Sequence, residues 1–113
     1  MKAVKIDVEK QDIYEIEFEG GLDAIYRIIG NGCDCFECPI TFPSENNLGN
    51  GLYCDGEILF RVHDIKGGFQ LDSWDSPIMN NAMIVGTDSD GYDVDHDIHI
   101  EDLKKQINWI KVR

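Results

Sequence analysis

Residues 4–19 alternate apolar and charged side chains, twice over. Val4, Ile6 and Val8 are separated by Lys5 and Asp7 and followed by Glu9. After the polar stretch 10–12, Tyr14, Ile16 and Phe18 are separated by Glu15 and Glu17 and followed by Glu19. A period of two cannot draw an apolar stripe along a helix, but it puts every apolar residue on one face of a pleated strand. Two such runs joined by a short polar turn predict a β-hairpin with one apolar and one acidic face. A lone hairpin is marginal in water, so the rest of the chain must cover that apolar face.

The remaining segments supply the cover. "GGLDAIYRIIGN" (20–31) predicts a short helix with Leu22, Ile25, Ile28 and Ile29 on its apolar face and Gly30 as its C-terminal cap. "CDCFECPITF" (33–42) predicts a third strand that Pro39 stops or pushes to a sheet edge. "PSENNLGNG" (43–51) is a loop by composition, and "GLYCDGEILFRV" (51–62) predicts a second hairpin around Asp55-Gly56. Residues 63–77 read as irregular, and "IMNNAMIVG" (78–86) as a buried strand. "IEDLKKQINWIKV" (100–112) fits a closing helix with Ile100, Leu103, Ile107 and Ile110 on one face. Glu101 and Asp102 in its first turn, with Lys104 and Lys105 after them, suit the helix dipole. The expected class is α+β: a mostly antiparallel sheet, a short helix after the first hairpin and a C-terminal helix. With no repeat, low-complexity tract or linker, residues 1–113 are expected to form a single domain. A chain this long buries roughly 65% of its unfolded surface and needs no disulfide or metal to fold.

The opening "MKAVKIDVEK" has no apolar core of a signal peptide, and no apolar run approaches the roughly 18 residues of a membrane span. The expectation is a cytoplasmic protein with its four cysteines reduced. Twenty-two acidic against ten basic side chains leave a net charge of −12. Such a field repels nucleic acid and anionic membranes, which excludes both as partners, and attracts basic proteins or cations.

Residues 86–102, "GTDSDGYDVDHDIHIED", concentrate seven acidic side chains and two histidines. A calcium loop of EF-hand type with Gly91 at its sixth position places Asp88, Asp90 and Asp97 as ligands. Its first position is then Gly86, which offers no side-chain ligand, and a strand stands where the entering helix belongs. The plainer expectation is a turn at "DSDG" followed by a strand with Asp93, Asp95, Asp97 and His99 on one face. Such a face is either an edge guarded by charge or a docking strip for Lys and Arg.

Cys33, Cys35 and Cys38, with Cys54 sixteen residues further on, could supply four thiolates to a structural zinc. In a strand, however, Cys33 and Cys35 face away from Cys38, so packed, reduced cysteines are the alternative. No nucleophile elbow, phosphate-cradling glycine loop or H-E-x-x-H motif is present, so no catalytic residue, enzymatic activity or cofactor is expected. Phe69, Trp74 and Met79 lie among aspartates and asparagines and could line a small-molecule pocket, or else anchor a loop to the core.

The segments "MKAVKIDVEK", "GGLDAIYRIIGN", "NGLYCDGEIL" and "PIMNNAMIVGTDSDG", in that order, resemble a family of small domains of unknown function, numbered in the 3800s. That family is common in bacteriophages and conjugative elements of gut bacteria. The resemblance is strongest over residues 22–30 and 78–91, and this chain departs from it in its cysteine cluster and in a longer segment around 63–77. It implies an α+β single domain and a mobile-element accessory protein acting in the host cytoplasm. Small acidic phage proteins that occupy DNA-binding sites of defence enzymes supply an analogy. Three functions follow as expectations. The first is a non-enzymatic protein that binds a basic host protein, such as one handling nucleic acid, through Glu15, Glu17, Glu19 and Asp93, Asp95, Asp97. The second is a small-ligand sequestering protein using Phe69, Trp74 and Met79. The third is a zinc-stabilised structural domain using the four cysteines.

Overall fold

A computed structural model describes residues 1–112. Strands β1 (Lys2–Asp7) and β2 (Asp12–Glu17) form the expected hairpin, with Ile6 opposite Ile13 and Lys2 opposite Glu17. Asp7 shapes the connection: its carboxylate accepts the Lys10 N–H at 3.1 Å and the Tyr14 hydroxyl at 2.9 Å. Helix α1 (Leu22–Ile29) follows, closed by Gly30 at φ 65°, whose N–H reaches the Tyr26 carbonyl at 2.8 Å. That left-handed conformation is one that glycine adopts without penalty. Ala24, Ile25 and Ile29 form the buried stripe, while Leu22, expected on it, is exposed in the first turn.

β3 (Phe36–Phe42) is an edge strand whose register slips between Glu37 and Ile40, where Pro39 has no N–H to give. It pairs with β4 (Gly49–Asp55), which begins inside the segment expected to be loop. The turn at Asp55-Gly56 forms, but no return strand follows; residues 58–60 and 62–64 are two 3-10 turns instead. The segment expected to be irregular contains β5 (Gly68–Leu71), followed by β6 (Ile78–Met79) and β7 (Ala82–Thr87). The expected buried strand 78–86 is thus two strands, separated at Asn80, which sits at φ 69°. β8 (Asp93–Val94) is only two residues long. Helix α2 (Ile100–Gln106) is shorter than the expected closing helix, and the chain leaves it as strand β9 (Ile107–Ile110). Ile107 and Ile110 therefore serve a strand, pairing with β5 and satisfying the backbone groups of its open edge.

The main sheet runs β2-β1-β7-β4-β3 with β8 on the end of β7, and a second sheet runs β6-β5-β9, every pairing antiparallel. Helix α1 packs on one face of the main sheet over Ala3, Phe18, Met83 and Val85. The other face, Val4, Ile6, Ile13, Leu52 and Ile84, meets Phe69, Leu71 and Ile78 of the second sheet and Leu103 of α2. β1 was expected to be half-buried, but it lies inside the sheet with both faces covered. Ala3, Val4 and Ile6 have no exposed surface. Among the described residues no helix is long and apolar enough to cross a membrane.

Candidate functional site

The acidic tract is where the backbone departs most from regular structure. Asp88 closes its turn by accepting the N–H groups of Asp90 and Tyr92, each at 2.9 Å, with Gly91 at φ 86°. After two residues of strand, residues 95–99 leave the edge of β7 as a strap. The strap is tied to the start of β1: the Lys2 N–H donates to Asp95 Oδ1 at 2.7 Å, and the His96 N–H donates to the Lys2 carbonyl at 3.0 Å. Asn47 Nδ2 holds the Asp95 carbonyl at 3.1 Å from the other side. The strap passes directly over Gly86, where a Cβ would stand 2.5 Å from the Asp95 carbonyl oxygen. Only glycine leaves room for that crossing.

This crossing overturns the expectation that Asp93, Asp95, Asp97 and His99 share one face. Asp97 turns inward. Its Oδ2 accepts the Ser44 hydroxyl at 2.7 Å and the N–H groups of Glu45 and Asn46 at 2.9 and 3.1 Å, while Oδ1 accepts the side-chain amide of buried Asn50 at 2.6 Å. The Asp97 N–H returns a bond to Asn50 Oδ1 at 3.2 Å. These donors, the Asn50 amide first, hold the carboxyl far below the usual carboxylate range. Asp97 is therefore the knot that fixes loop 43–48, its carboxylate bonded mainly within the molecule.

His96 turns the other way. Its imidazole is buried, and its Nε2 lies 2.8 Å from Glu15 Oε1. Because Nδ1 accepts the Ile98 N–H at 3.0 Å, the ring proton of the neutral form sits on Nε2 and is donated to Glu15. The strap thus joins the two acidic runs of the sequence. Glu15 is bound to it through His96, and Glu17 stands on β2 opposite Lys2, the residue that holds Asp95. An open groove of about 520 Å³ lies along this corner, lined by Asn46, Asn47, Asp93, Asp95 and His96 among others. Asp93 is partly sheltered, and desolvation raises its carboxyl pKa. Glu15, Glu17 and Asp95 are exposed. Glu19 is turned to the helix side and paired with Arg27.

The other expected site residues fall elsewhere. Phe69 is fully buried and packs edge-on against Trp109 with ring centroids 6.4 Å apart. Met79 is on the neighbouring strand, and Trp74 lies on an exposed turn. Phe69 is thus a core residue, and the trio does not present an aromatic wall to solvent. All four cysteines are free thiols. Burial pushes Cys54 up to about 12 and Cys33 up to about 11. The exposed thiol of Cys38 donates to the Ile40 carbonyl at 3.5 Å. Among the described residues no three His, Cys, Asp or Glu side chains gather in a group able to hold a metal ion, the four cysteines and Asp88, Asp90 and Asp97 included. Sequence reasoning missed Ser44, Asn47, Asn50 and Gly86. The signal was present in the asparagine-rich "ENNLGN", too polar for a strand unless its amides have fixed partners. No family model, curated protein or solved structure matches the chain.

Proposed function

We propose that the chain is a small, acidic, non-enzymatic accessory protein that binds a basic protein through the carboxylates of this corner, Glu15, Glu17, Asp93 and Asp95. Asp97, bound by Ser44, Asn50 and two loop N–H groups, and Glu19, paired with Arg27 on the helix side away from this corner, are left out of the binding set. The observation that carries the proposal is the strap itself. It draws two acidic runs some eighty positions apart in sequence into one corner, on a chain of net charge −12. Like charges gathered this way repel, and a Lys- or Arg-rich partner relieves that repulsion. The field steers a basic groove towards the corner, where carboxylates compete with nucleic-acid phosphates for the same cations. A host protein that handles nucleic acid or defends against foreign DNA is the partner class, in the cytoplasm of a cell carrying the phage or mobile element. That context rests on the family resemblance; the charge chemistry does not.

The test is capture of host proteins on the tagged chain at low and moderate salt, beside the E17K/D95N variant. Asn at 95 keeps an acceptor for the Lys2 N–H, so the strap stays tied. One basic protein should be enriched at low salt and lost both at moderate salt and on the variant. Capture indifferent to salt and to the substitutions would refute the charge mechanism.

A further inference from the structure

At the other end of β4 from the acidic corner, the chain inverts the usual polarity of a surface loop. After Asp55 it makes two successive 3-10 turns, closed by Phe60 N–H to the Glu57 carbonyl at 3.0 Å and Asp64 N–H to the Arg61 carbonyl at 2.8 Å. The Asp55–Arg61 ion pair is on the inside. The Arg61 guanidinium donates through Nη2 to Asp55 Oδ2 at 2.8 Å and to the Asn31 carbonyl at 3.1 Å, and through Nε to Asp64 Oδ2 at 2.9 Å. The Asp55 side chain has no exposed surface and that of Arg61 is 20% exposed. Apolar groups are on the outside: Leu59 is 74%, Phe60 86% and Val62 63% exposed. Ile58 alone turns inward as an anchor.

Ordinary loop energetics run the opposite way, burying Phe and solvating Arg. A buried ion pair gives little net stability over an apolar substitute, so the cluster is poorly explained as a stabilising device. What it does accomplish is orientation. With Arg61 clamped inward from three directions, its neighbours on either side must point out, and the ordering cost of a contact loop is met before any partner arrives. Contiguous exposed apolar side chains on a rigid support have the anatomy of an interface hot spot, and an aromatic at the tip carries about 150–250 Å² of buriable surface.

The surroundings state the partner's chemistry. Glu57 is in the loop itself, and Gly56 donates to the Cys35 carbonyl at 2.8 Å, which places the exposed Asp34 and Glu37 beside the base of the loop. The rim is therefore acidic. A second copy of this chain would bring like rims together and is disfavoured; a cleft edged with Lys or Arg is complementary. We infer that residues 59–62 are a preformed docking tip that inserts Phe60, flanked by Leu59 and Val62, into an apolar cleft with a cationic rim on a partner protein. This surface is separate from the acidic corner and does not depend on it.

The experiment uses two designed helical-hairpin miniproteins that share one leucine-lined groove, one rimmed with lysine and the other with glutamate. Each is titrated into the isotopically labelled chain and followed by backbone amide shifts. The lysine-rimmed probe should shift amides 57–64, and Phe60→Ser should weaken it about 30-fold, the effect of losing a hot-spot aromatic. E17K/D95N should leave these site-specific shifts in place. Phe60→Ser should also leave the melting temperature within about 2 °C, since an exposed side chain adds little to the fold. Shifts that centre on the acidic corner, equal binding of the glutamate-rimmed probe, or indifference to Phe60→Ser would overturn the inference. So would a marked loss of stability in that variant, or dimerisation of the native chain in sedimentation that Phe60→Ser abolishes. The first would make Phe60 a folding element and the second would make a second copy the occupant.

Discussion

Replacing Asp97 tests whether one carboxylate holds loop 43–48 and the strap in place. In Asp97→Ala the two shortest bonds, from Ser44 Oγ at 2.7 Å and Asn50 Nδ2 at 2.6 Å, disappear together with two from loop N–H groups. The loop amides are exposed and regain water, so they contribute little. The Asn50 amide is buried, and it keeps only the Pro43 carbonyl at 3.1 Å. Charged hydrogen bonds contribute about 1.5–3 kcal/mol each when buried. Discounted for the half-exposed setting of Asp97, the two together give about 2–3 kcal/mol. Urea unfolding at pH 7 should show that loss, with a fall of roughly 8–12 °C in melting temperature. The pH dependence sharpens the test. The folded carboxyl titrates well below its unfolded counterpart, so its contribution is complete above the unfolded value near 4 and lost as the pH falls towards the folded one. The gap between native protein and Asp97→Asn should therefore be widest at pH 6–7 and narrow steadily below about pH 4. A gap under about 0.5 kcal/mol at pH 7, or one that does not change between pH 6 and 3, would refute the reasoning.

Three further outcomes follow from the same geometry. Gly86→Ala forces a Cβ to within 2.5 Å of the Asp95 carbonyl oxygen, a backbone atom that cannot swing aside, and should cost about 1–3 kcal/mol in urea unfolding; Gly91→Ala, which meets nothing within 4 Å but sits at positive φ, should cost about 1 kcal/mol. The Tyr14 phenol is pushed up to about 12 by burial and by its bond to Asp7, so ultraviolet titration should show a tyrosine ionising only near that pH, and Asp7→Asn should bring it down. Thiol labelling at pH 8 should modify exposed Cys35 well before Cys54, whose burial holds it at about 12; equal rates would mean that β4 opens readily.

How much of this was readable in advance depends on the range of the forces involved. The first hairpin and helix α1 were legible because alternation, the "GG" entry and Gly30 act within a few residues. That β1 is covered on both faces was not, since it depends on which distant strands flank it and what packs above them. The segment 100–112 satisfied two templates at once: Ile107 and Ile110 keep helical spacing from Leu103, yet with Trp109 they also form an apolar, β-prone run. Only the unpaired edge of β5, nearly forty residues earlier in the chain, decides for the strand.

The acidic tract and the 58–64 loop failed for a common reason. In each, a local pattern was correctly recognised and then overridden by a side chain bonded across the fold. "DSDG" does turn and Asp93 does begin a strand, but the knot of Asp97 with Ser44 and Asn50 pulls the chain off the sheet after two residues. Asp55-Gly56 does turn, but Arg61 returns to Asp55 and replaces the second strand with a clamp. Both overriding groups, Asp97 and Arg61, are charged residues whose partners are buried or half-buried, and local pattern does not reveal such partners. The most acidic segment and the most apolar exposed segment owe their conformations to those two carboxylates, Asp97 and Asp55.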